Sequence, residues 1–377
     1  MKNIAIIGST GSIGRQTLNV IRRHPELFNV VSLASGSNAS LLLEQINEFK
    51  PKIATSNVEI DKNLIPKTVD FYSGEDAFLS AICNDADIIV VALVGFLGIK
   101  AVLKAINMGK DVALANKESL VVGGETVISL AKEKGVKILP IDSEHSAVWQ
   151  ALSFDFNTPF SKIILTASGG AFRDLPLDKL DLVTAKDALK HPNWKMGQKI
   201  TVDCATMVNK AYEVAEAKWL YNTTFDKIDV IIHRESIIHS MVEFIDGAVI
   251  AQMGYPSMEI PIALALNYPE RITSAEKSLD FAKLQTLSFA EVDDKRYPCF
   301  NLSLSAIKKG GAYPAVLNGA DEEAVKLFLE GKISYKDIEK CIDGAIQAYS
   351  GENKCDYQSI CNANQFAVDY VNKKFGV

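Results

Sequence analysis

Two acidic residues one position apart, Asp142 and Glu144, follow the apolar run Lys137 to Ile141, which reads as a strand. In extended backbone, residues i and i+2 project to one side, so these carboxylates are expected to converge while Ser143 points elsewhere. Close carboxylates repel unless a proton or a cation lies between them. Oxygen donors without a Cys or His cluster suit Mg²⁺ or Mn²⁺. Taken alone, such a pair is more often solvated surface charge, because carboxylates are usually exposed. A second set sits on the apolar-periodic helix Asn209 to Leu220. Asn209 and Glu213 are i and i+4, and Lys210 and Glu213 are i and i+3, so an amide, an ammonium and a carboxylate share one face. By itself this segment favours an ordinary salt bridge between Lys210 and Glu213.

A third constellation opens the chain. The strand Asn3 to Ile7 runs into Gly8-Ser9-Thr10-Gly11-Ser12-Ile13-Gly14 and then a helix. Small residues let the backbone approach a pyrophosphate, and a helix N-terminus supplies N–H donors and a favourable dipole. The strand–turn–helix context makes this more specific than the bare GxxGxxG spacing; the competing reading is a tight turn with no ligand. The second strand ends in Ala34-Ser35-Gly36-Ser37-Asn38. No carboxylate stands there to accept from a ribose 2′-hydroxyl, which favours NADP over NAD. No Arg or Lys stands there either, and Arg15 reads as an exposed helix residue.

The elements that must carry these groups alternate at first. Strands are predicted at Lys2 to Ile7, Phe28 to Leu33, Ile53 to Thr55, Ala86 to Leu93 and Asp111 to Ala115. Helices are predicted at Ile13 to Arg23, Leu41 to Phe49 and Ala101 to Met108, the last ending at Gly109 as C-cap. This alternation predicts a doubly wound parallel sheet. Beyond about Val136 the pattern changes. Strands are expected at Lys137 to Ile141, Lys162 to Ala167 and Val230 to His233, and a hairpin pairs Met241 to Ile245 with Ala248 to Met253 around Asp246-Gly247. The stretch 168–198 holds Gly-Gly, Pro176, Pro192 and Trp194 with little periodicity and reads as a long surface segment or lid. The C-terminal part is amphipathic helix by its apolar spacing. The expected organisation is a nucleotide-binding domain over 1–135, a catalytic domain over 136–269, a linker over 270–290 and a helical domain over 291–377.

Composition narrows the class. The chain has 377 residues, 48% hydrophobic and 23% charged, enough for more than one core and too apolar for disorder. A net charge of -6 argues against a nucleic-acid or membrane-surface binder, so an anionic substrate must be held by local groups. The six cysteines form no CxxC pair and no zinc spacing, and a reducing, cytoplasmic setting is expected. The N-terminal apolar run is too short for a signal-peptide core and reads as a strand. The run Ile88 to Ile99 is too short to span a bilayer.

The motifs together resemble a known family. GSTGSIG from Gly8, ALANKESLV from Ala113, PIDSEHSA from Pro140, LTASGGAFRD from Leu165, HPNWKMGQKITVDCATMVNKAYE from His191 and HRESIIHSMVE from His233 are similar, in order, to 1-deoxy-D-xylulose 5-phosphate reductoisomerases of the non-mevalonate isoprenoid pathway. The resemblance implies a Rossmann-like NADPH domain, a central α+β catalytic domain, a C-terminal helical domain and a homodimer. It implies rearrangement of a ketose phosphate to a branched aldehyde phosphate, then reduction by NADPH to 2-C-methyl-D-erythritol 4-phosphate, with one Mn²⁺ or Mg²⁺ per subunit. Carried onto this chain, it places Thr10, Gly11, Ser12 and Ile13 at the pyrophosphate and Gly36, Ser37 and Asn38 near the adenosine ribose. Asn116 and Glu118 fall on the nicotinamide side, and Gly197, in the lid, is a further cofactor contact. Asp142, Glu144 and Glu213 become metal ligands. Lys117, Ser143, Ser168, Cys204, Asn209 and Lys210 line the substrate and its phosphate. His191, Trp194 and Met196 belong to the lid, and His239 is a further active-site histidine, where the residues alone favour a satisfied core histidine. Lys117, Glu144, His191 and His239 form the implied catalytic set. Cys204 stands where many members carry Ser, and Ser37 where some carry Lys.

Two other readings stay in view. A plain NADP dehydrogenase of the semialdehyde or homoserine kind needs no metal, so the three carboxylates discriminate against it. A non-catalytic dinucleotide sensor has no use for an acid cluster beside a lid.

Overall fold

The computed structural model describes residues 1–375. Seven strands, β1 (Lys2–Ile7), β2 (Phe28–Ser35), β3 (Ile53–Ser56), β4 (Asp70–Ser73), β5 (Ile88–Val91), β6 (Asp111–Leu114) and β7 (Ile138–Pro140), form one sheet in the order β4-β3-β2-β1-β5-β6-β7. Every pairing in it is parallel. The expected doubly wound sheet is therefore present. Its strand order reverses between β1 and β5, the switch point beyond whose carboxyl ends such sheets bind ligands. The central strands are apolar throughout because both faces are covered: Ile4, Ala5, Ile6 and Ile7 of β1 and Ile89, Val90 and Val91 of β5 have no exposed surface.

A second sheet has the order β11-β10-β8-β9, from β8 (Lys162–Ala167), β9 (Ile228–Ile232), β10 (Ile238–Glu243) and β11 (Val249–Met253). Strand β10 runs antiparallel to both β8 and β11, the latter through the expected hairpin, and β8 runs parallel to β9. The C-terminal part is helical, with Pro298–Lys309, Tyr313–Leu329, Tyr335–Ala348 and Tyr357–Phe375. Among the described residues no helix is long and apolar enough to cross a membrane.

The chain forms two compact units. One is assembled from residues Met1–Ser119, Val127–Ser143 and Met258–Glu276 and holds the parallel sheet; the other takes Leu120–Thr126, Glu144–Ser257 and the chain from Lys277 on. In the first unit the Lys2 ammonium donates to the carbonyls of Leu266 (3.0 Å) and Tyr268 (3.1 Å), tying the returning helix Glu259–Asn267 to β1.

Several elements of the structure, the helices Gln198–Thr206 and Glu259–Asn267 among them, are missing from the sequence reading. The helix Glu118–Lys134 is absent from it, because Gly123 and Gly124 interrupt its pattern; Gly123 leaves helical geometry (φ −133°, ψ 21°). Gly124 is required by packing, since a Cβ there would lie 2.2 Å from the Trp219 ring. The short strand β4 is half-exposed and has little apolar signal. The segment after β7 is not extended: Ser143–Ala151 is a helix, so Glu144 lies in a first helical turn. An acid and a serine ahead of an apolar run are helix-start residues, and that local chemistry outweighs continuation of the strand.

Candidate active site

The turn expected to hold a dinucleotide is built by glycines that permit close approach. Gly8 sits at φ +101°, and a Cβ on it would lie 2.5 Å from the Ala92 carbonyl oxygen. On Gly14 a Cβ would lie 2.2 Å from the Gly8 oxygen. The turn, the helix Ser12–Arg23 and the end of β5 therefore pack at backbone distance. That helix starts on Gly11 without a side-chain cap and has no acid in its first turn. Uncapped N–H groups with no competing carboxylate fit an anionic pyrophosphate. Thr10 Oγ1 meets Ser35 Oγ at 2.8 Å, fixing the turn to the end of β2. Beyond β2, Ser37 and Asn38 are exposed, and Asn38 caps the next helix by accepting from the Leu41 N–H (3.1 Å).

Asn116 is almost fully buried. Its amide nitrogen shares two hydrogens among the carbonyls of Leu93 (3.1 Å) and Gly95 (2.9 Å) and Glu118 Oε2 (2.9 Å), and its oxygen accepts from the Ser119 N–H (3.1 Å). A Cβ on Gly98 would fall 2.0 Å from that oxygen. Asn116 thus holds the loop after β5 and the start of the next helix, a structural task not visible in the sequence.

The acid cluster forms although the extended-backbone argument for it fails. Asp142, Glu144 and Glu213 each offer an oxygen, and these atoms lie within 4.8 Å of one another. Lys117 Nζ is 2.5 Å from Asp142 Oδ2, with both side chains nearly buried. Lys210 Nζ donates to Glu144 Oε1 (2.8 Å), to the Thr166 carbonyl (2.5 Å) and to Glu213. Burial alone pulls the Lys210 ammonium toward neutrality, but Glu144 and Glu213 more than offset it, and its pKa lies above the ordinary lysine value. Asn209 Nδ2 reaches Glu213 Oε1 at 2.5 Å, so the amide, ammonium and carboxylate do share one helix face. The Lys210–Glu213 pair exists, as the ordinary reading has it, but it is buried and shared with a third group. The cluster's donors are all hard oxygens, and this set fits a small divalent cation.

Behind it lies a pair that sequence reasoning missed. His145 Nε2 is 2.9 Å from the Glu213 carbonyl and its Nδ1 is 3.4 Å from Glu216 Oε2, with both side chains buried. Their only sequence signal is a three-residue offset from Asp142 and from Glu213.

The segment 168–198, expected to be a lid, leaves β8 through Ser168, Gly169 and Gly170. Both glycines have positive φ (+80° and +68°), and a Cβ on Gly170 would lie 2.5 Å from the Cys204 carbonyl. The segment thereby lies against the helix Gln198–Thr206, whose N-cap is Gly197. His191 Nδ1 accepts from the N–H groups of Asn193 (3.2 Å) and Trp194 (2.9 Å), so its proton sits on Nε2, 2.9 Å from Ser168 Oγ. Burial first, and then the Arg173 charge, lower the His191 pKa to about 4, so the ring is neutral at physiological pH. Ser168 Oγ also accepts from the Gly170 N–H (3.2 Å), which leaves its own hydrogen to donate. His239, nearly buried on β10, lies 5.9 Å from the Trp194 ring, and burial lowers its pKa against the opposing pull of Glu144. Met196 and Cys204 are half-buried and Gly197 is exposed. Met207 takes a left-handed conformation (φ +64°) between Gln198–Thr206 and Val208–Leu220, which starts the second helix at Asn209 and Lys210.

A doubly wound sheet with an uncapped helix start at its switch point, together with an oxygen-only acid cluster, defines a dinucleotide-dependent oxidoreductase that works with a hard divalent cation. The comparisons with known proteins are specific. The family model described as 1-deoxy-D-xylulose 5-phosphate reductoisomerase matches residues 4–124, and models of the C-terminal domains of that enzyme match 138–221 and 253–370. A relative of that name from Synechocystis is 47% identical over 97% of this chain and 96% of its own length. One from Chlorobaculum tepidum is 45% identical with both chains covered completely. Among solved structures, the Zymomonas mobilis enzyme in complex with NADPH superposes with a TM-score of 0.91 at 36% identity, covering 99% of this chain and 98% of that one. A reductoisomerase in complex with NADPH, fosmidomycin and magnesium gives 0.93 at 36% identity over 100% and 98%. The chain belongs to the 1-deoxy-D-xylulose 5-phosphate reductoisomerase family.

Proposed function

We propose that this chain converts 1-deoxy-D-xylulose 5-phosphate into 2-C-methyl-D-erythritol 4-phosphate, using NADPH and one divalent cation, in the supply of isoprenoid precursors. The observation that carries the reading is the oxygen-only cluster of Asp142, Glu144 and Glu213, for which a plain dehydrogenase has no use. These three residues hold the cation, Mg²⁺ or Mn²⁺. When bound, it supplies Lewis acidity toward the carbonyl and the neighbouring hydroxyl of the substrate. NADPH supplies the hydride.

The chain's own residues bind, orient and exclude water. Thr10, Gly11, Ser12 and Ile13 hold the pyrophosphate at the uncapped helix start, and Gly36, Ser37 and Asn38 border the adenosine ribose. Asn116 and Glu118 serve the nicotinamide side by fixing the loop after β5, and Gly197 borders it from the lid. Ser143 and Lys117 orient substrate oxygens, Lys117 as the cationic partner of Asp142. Ser168, Asn209, Lys210 and the weaker donor Cys204 receive the phosphate. All three Lys210 donors are engaged within the protein, so phosphate binding exchanges at least one of them. His191 presents an Nε2–H through which it orients Ser168, while Trp194, Met196 and His239 cover the reacting carbons and exclude water.

A homodimer is the proposed assembly. Strand β11 is a sheet edge with Val249 and Ile250 about half exposed and Ile245 beside them 78% exposed, an apolar border suited to a second copy. We place it in a reducing, cytoplasmic setting, in which the six cysteines, joined by no disulfide among the described residues, stay reduced. The test of function is NADPH absorbance decay with 1-deoxy-D-xylulose 5-phosphate and Mg²⁺ or Mn²⁺, repeated with EDTA and with NADH. Decay that requires both substrate and metal is expected. NADPH binding without any metal-dependent decay would overturn the reading.

A further inference from the structure

We propose that Asn193 and Arg173 are positioning residues that clamp both ends of the lid segment onto one backbone carbonyl, that of Arg234, and so hold His191 and Trp194 ready for substrate. The Arg173 guanidinium donates through one nitrogen to the carbonyls of Ser168 and Arg234, both at 2.9 Å. From the other end of the segment, Asn193 Nδ2 donates to the Arg234 carbonyl (2.6 Å) and to Ser236 Oγ (2.7 Å). An amide nitrogen has two hydrogens, and both are used here, so Asn193 has no donor left for a ligand. Its backbone N–H goes to His191 Nδ1, and His191 Nε2 returns to Ser168 Oγ. The contacts close a circuit: Ser168, His191, Asn193, Arg234, Arg173 and back to Ser168. Ser236 takes a left-handed backbone (φ +52°), a conformation that non-glycine residues adopt at a cost. The Arg234 side chain is itself anchored on Asp174 at 2.5 Å, within the same segment.

This arrangement does more than tether a loop. The Asn193 and Trp194 N–H groups both point at His191 Nδ1, so they select the tautomer that presents Nε2–H to Ser168. Without the Asn193 side chain, that end of the segment loses its hold on Arg234 and Ser236, and the histidine loses its orientation with it.

The proposal rests on the functional reading above, and its test separates the two. The parent protein, N193A, S236A and the double variant are compared by steady-state kinetics with 1-deoxy-D-xylulose 5-phosphate, NADPH and Mg²⁺. Hydrogen–deuterium exchange over residues 190–197 is measured on the same proteins without substrate or metal. Two hydrogen bonds of ordinary net worth correspond to about a tenfold to thirtyfold rise in KM for N193A, with kcat within about threefold. S236A should show the smaller rise, and the double variant little more than N193A, because both remove one contact pair. Exchange over 190–197 should quicken in N193A. If the parent shows no turnover, the functional reading fails and exchange alone judges the clamp. Parent-like exchange in N193A overturns the clamp. Faster exchange with unchanged KM overturns its positioning role, and a loss of kcat at constant KM places Asn193 on the reacting atoms instead.

Discussion

Lys210→Met removes the ammonium that joins Glu144, Glu213 and the Thr166 carbonyl, and the consequence can be worked from the geometry. The Glu144 and Glu213 oxygens lie within 4.8 Å of each other. At an effective dielectric near 20, two unit charges at that distance repel by about 3.5 kcal/mol. The Thr166 carbonyl, which accepts from this lysine in a buried setting, adds about 1 kcal/mol when left without its donor. A loss of about 3–5 kcal/mol follows, the range found when one partner of a buried ion pair is removed. At about 2 °C per kcal/mol for a chain of this size, the melting temperature should fall roughly 6–10 °C in EDTA. A divalent cation supplies positive charge to the same oxygens, so millimolar Mg²⁺ should restore several of those degrees in the variant and raise the parent much less. Differential scanning fluorimetry of both proteins, with EDTA and with Mg²⁺, reads the effect without any turnover. A variant that melts with the parent in EDTA, or that is lowered equally with and without Mg²⁺, would refute the claim that this lysine and the cation serve the same acids.

Other outcomes follow from single sites. Asp142→Asn should abolish metal-dependent turnover and leave NADPH binding by fluorescence titration nearly unchanged; loss of nucleotide affinity instead would contradict the assignment. Gly98→Ala places a methyl where the Asn116 oxygen lies, and overpacking of this kind costs about 1–3 kcal/mol, so a melting temperature equal to the parent's would show that Asn116 moves aside freely. The His191 pKa lies at about 4, below the ordinary value. Its contribution to stability is therefore full above the unfolded pKa of about 6.5 and is lost as pH falls toward 4. The shift corresponds to at most ~3 kcal/mol, and about half that once the solvent reaching the ring is allowed for. Urea unfolding of the parent and His191→Asn across pH 4 to 7 should show a shallower acid slope in the variant, and identical slopes would exclude the effect. Ser37→Lys should raise the NADPH over NADH preference in kcat/KM, and an unchanged ratio would place the 2′-phosphate elsewhere.

The turn proposed to hold the nucleotide was legible because its signal is local. A strand, a glycine turn and a helix start are contiguous, and each glycine has a nearby reason, as Gly8 and Gly14 show. The carboxylates proposed as metal ligands were legible as residues but not as geometry. Asp142 and Glu144 meet Glu213 from the start of a helix, and the strand periodicity that suggested their convergence stops before them. The pair His145 and Glu216 stayed hidden because helix packing alone brings it together across 71 positions of sequence. The clamp was hidden for another reason. Its hub is the Arg234 carbonyl, and every residue has a carbonyl, so side-chain types carry no mark of it. Likewise Gly123 and Gly124 interrupt the apolar pattern of Glu118–Lys134, and only the Trp219 ring supplies a reason for the second.

The first compact unit closes only when residues 258–276 return to it, with Lys2 bonded to carbonyls 264 and 266 positions away. During synthesis, the strands of the parallel sheet leave the ribosome long before the segment that completes their unit. At roughly 5–20 residues per second, the interval between the last strand and that segment is on the order of ten seconds. The first unit must therefore wait, with part of its apolar surface open, while all four strands of the second sheet are made. A chain cut after residue 257 would contain every strand of the parallel sheet and still lack a part of that unit, so the minimal autonomous nucleotide-binding fragment should be obtained by joining 1–143 to 258–276, not by simple truncation.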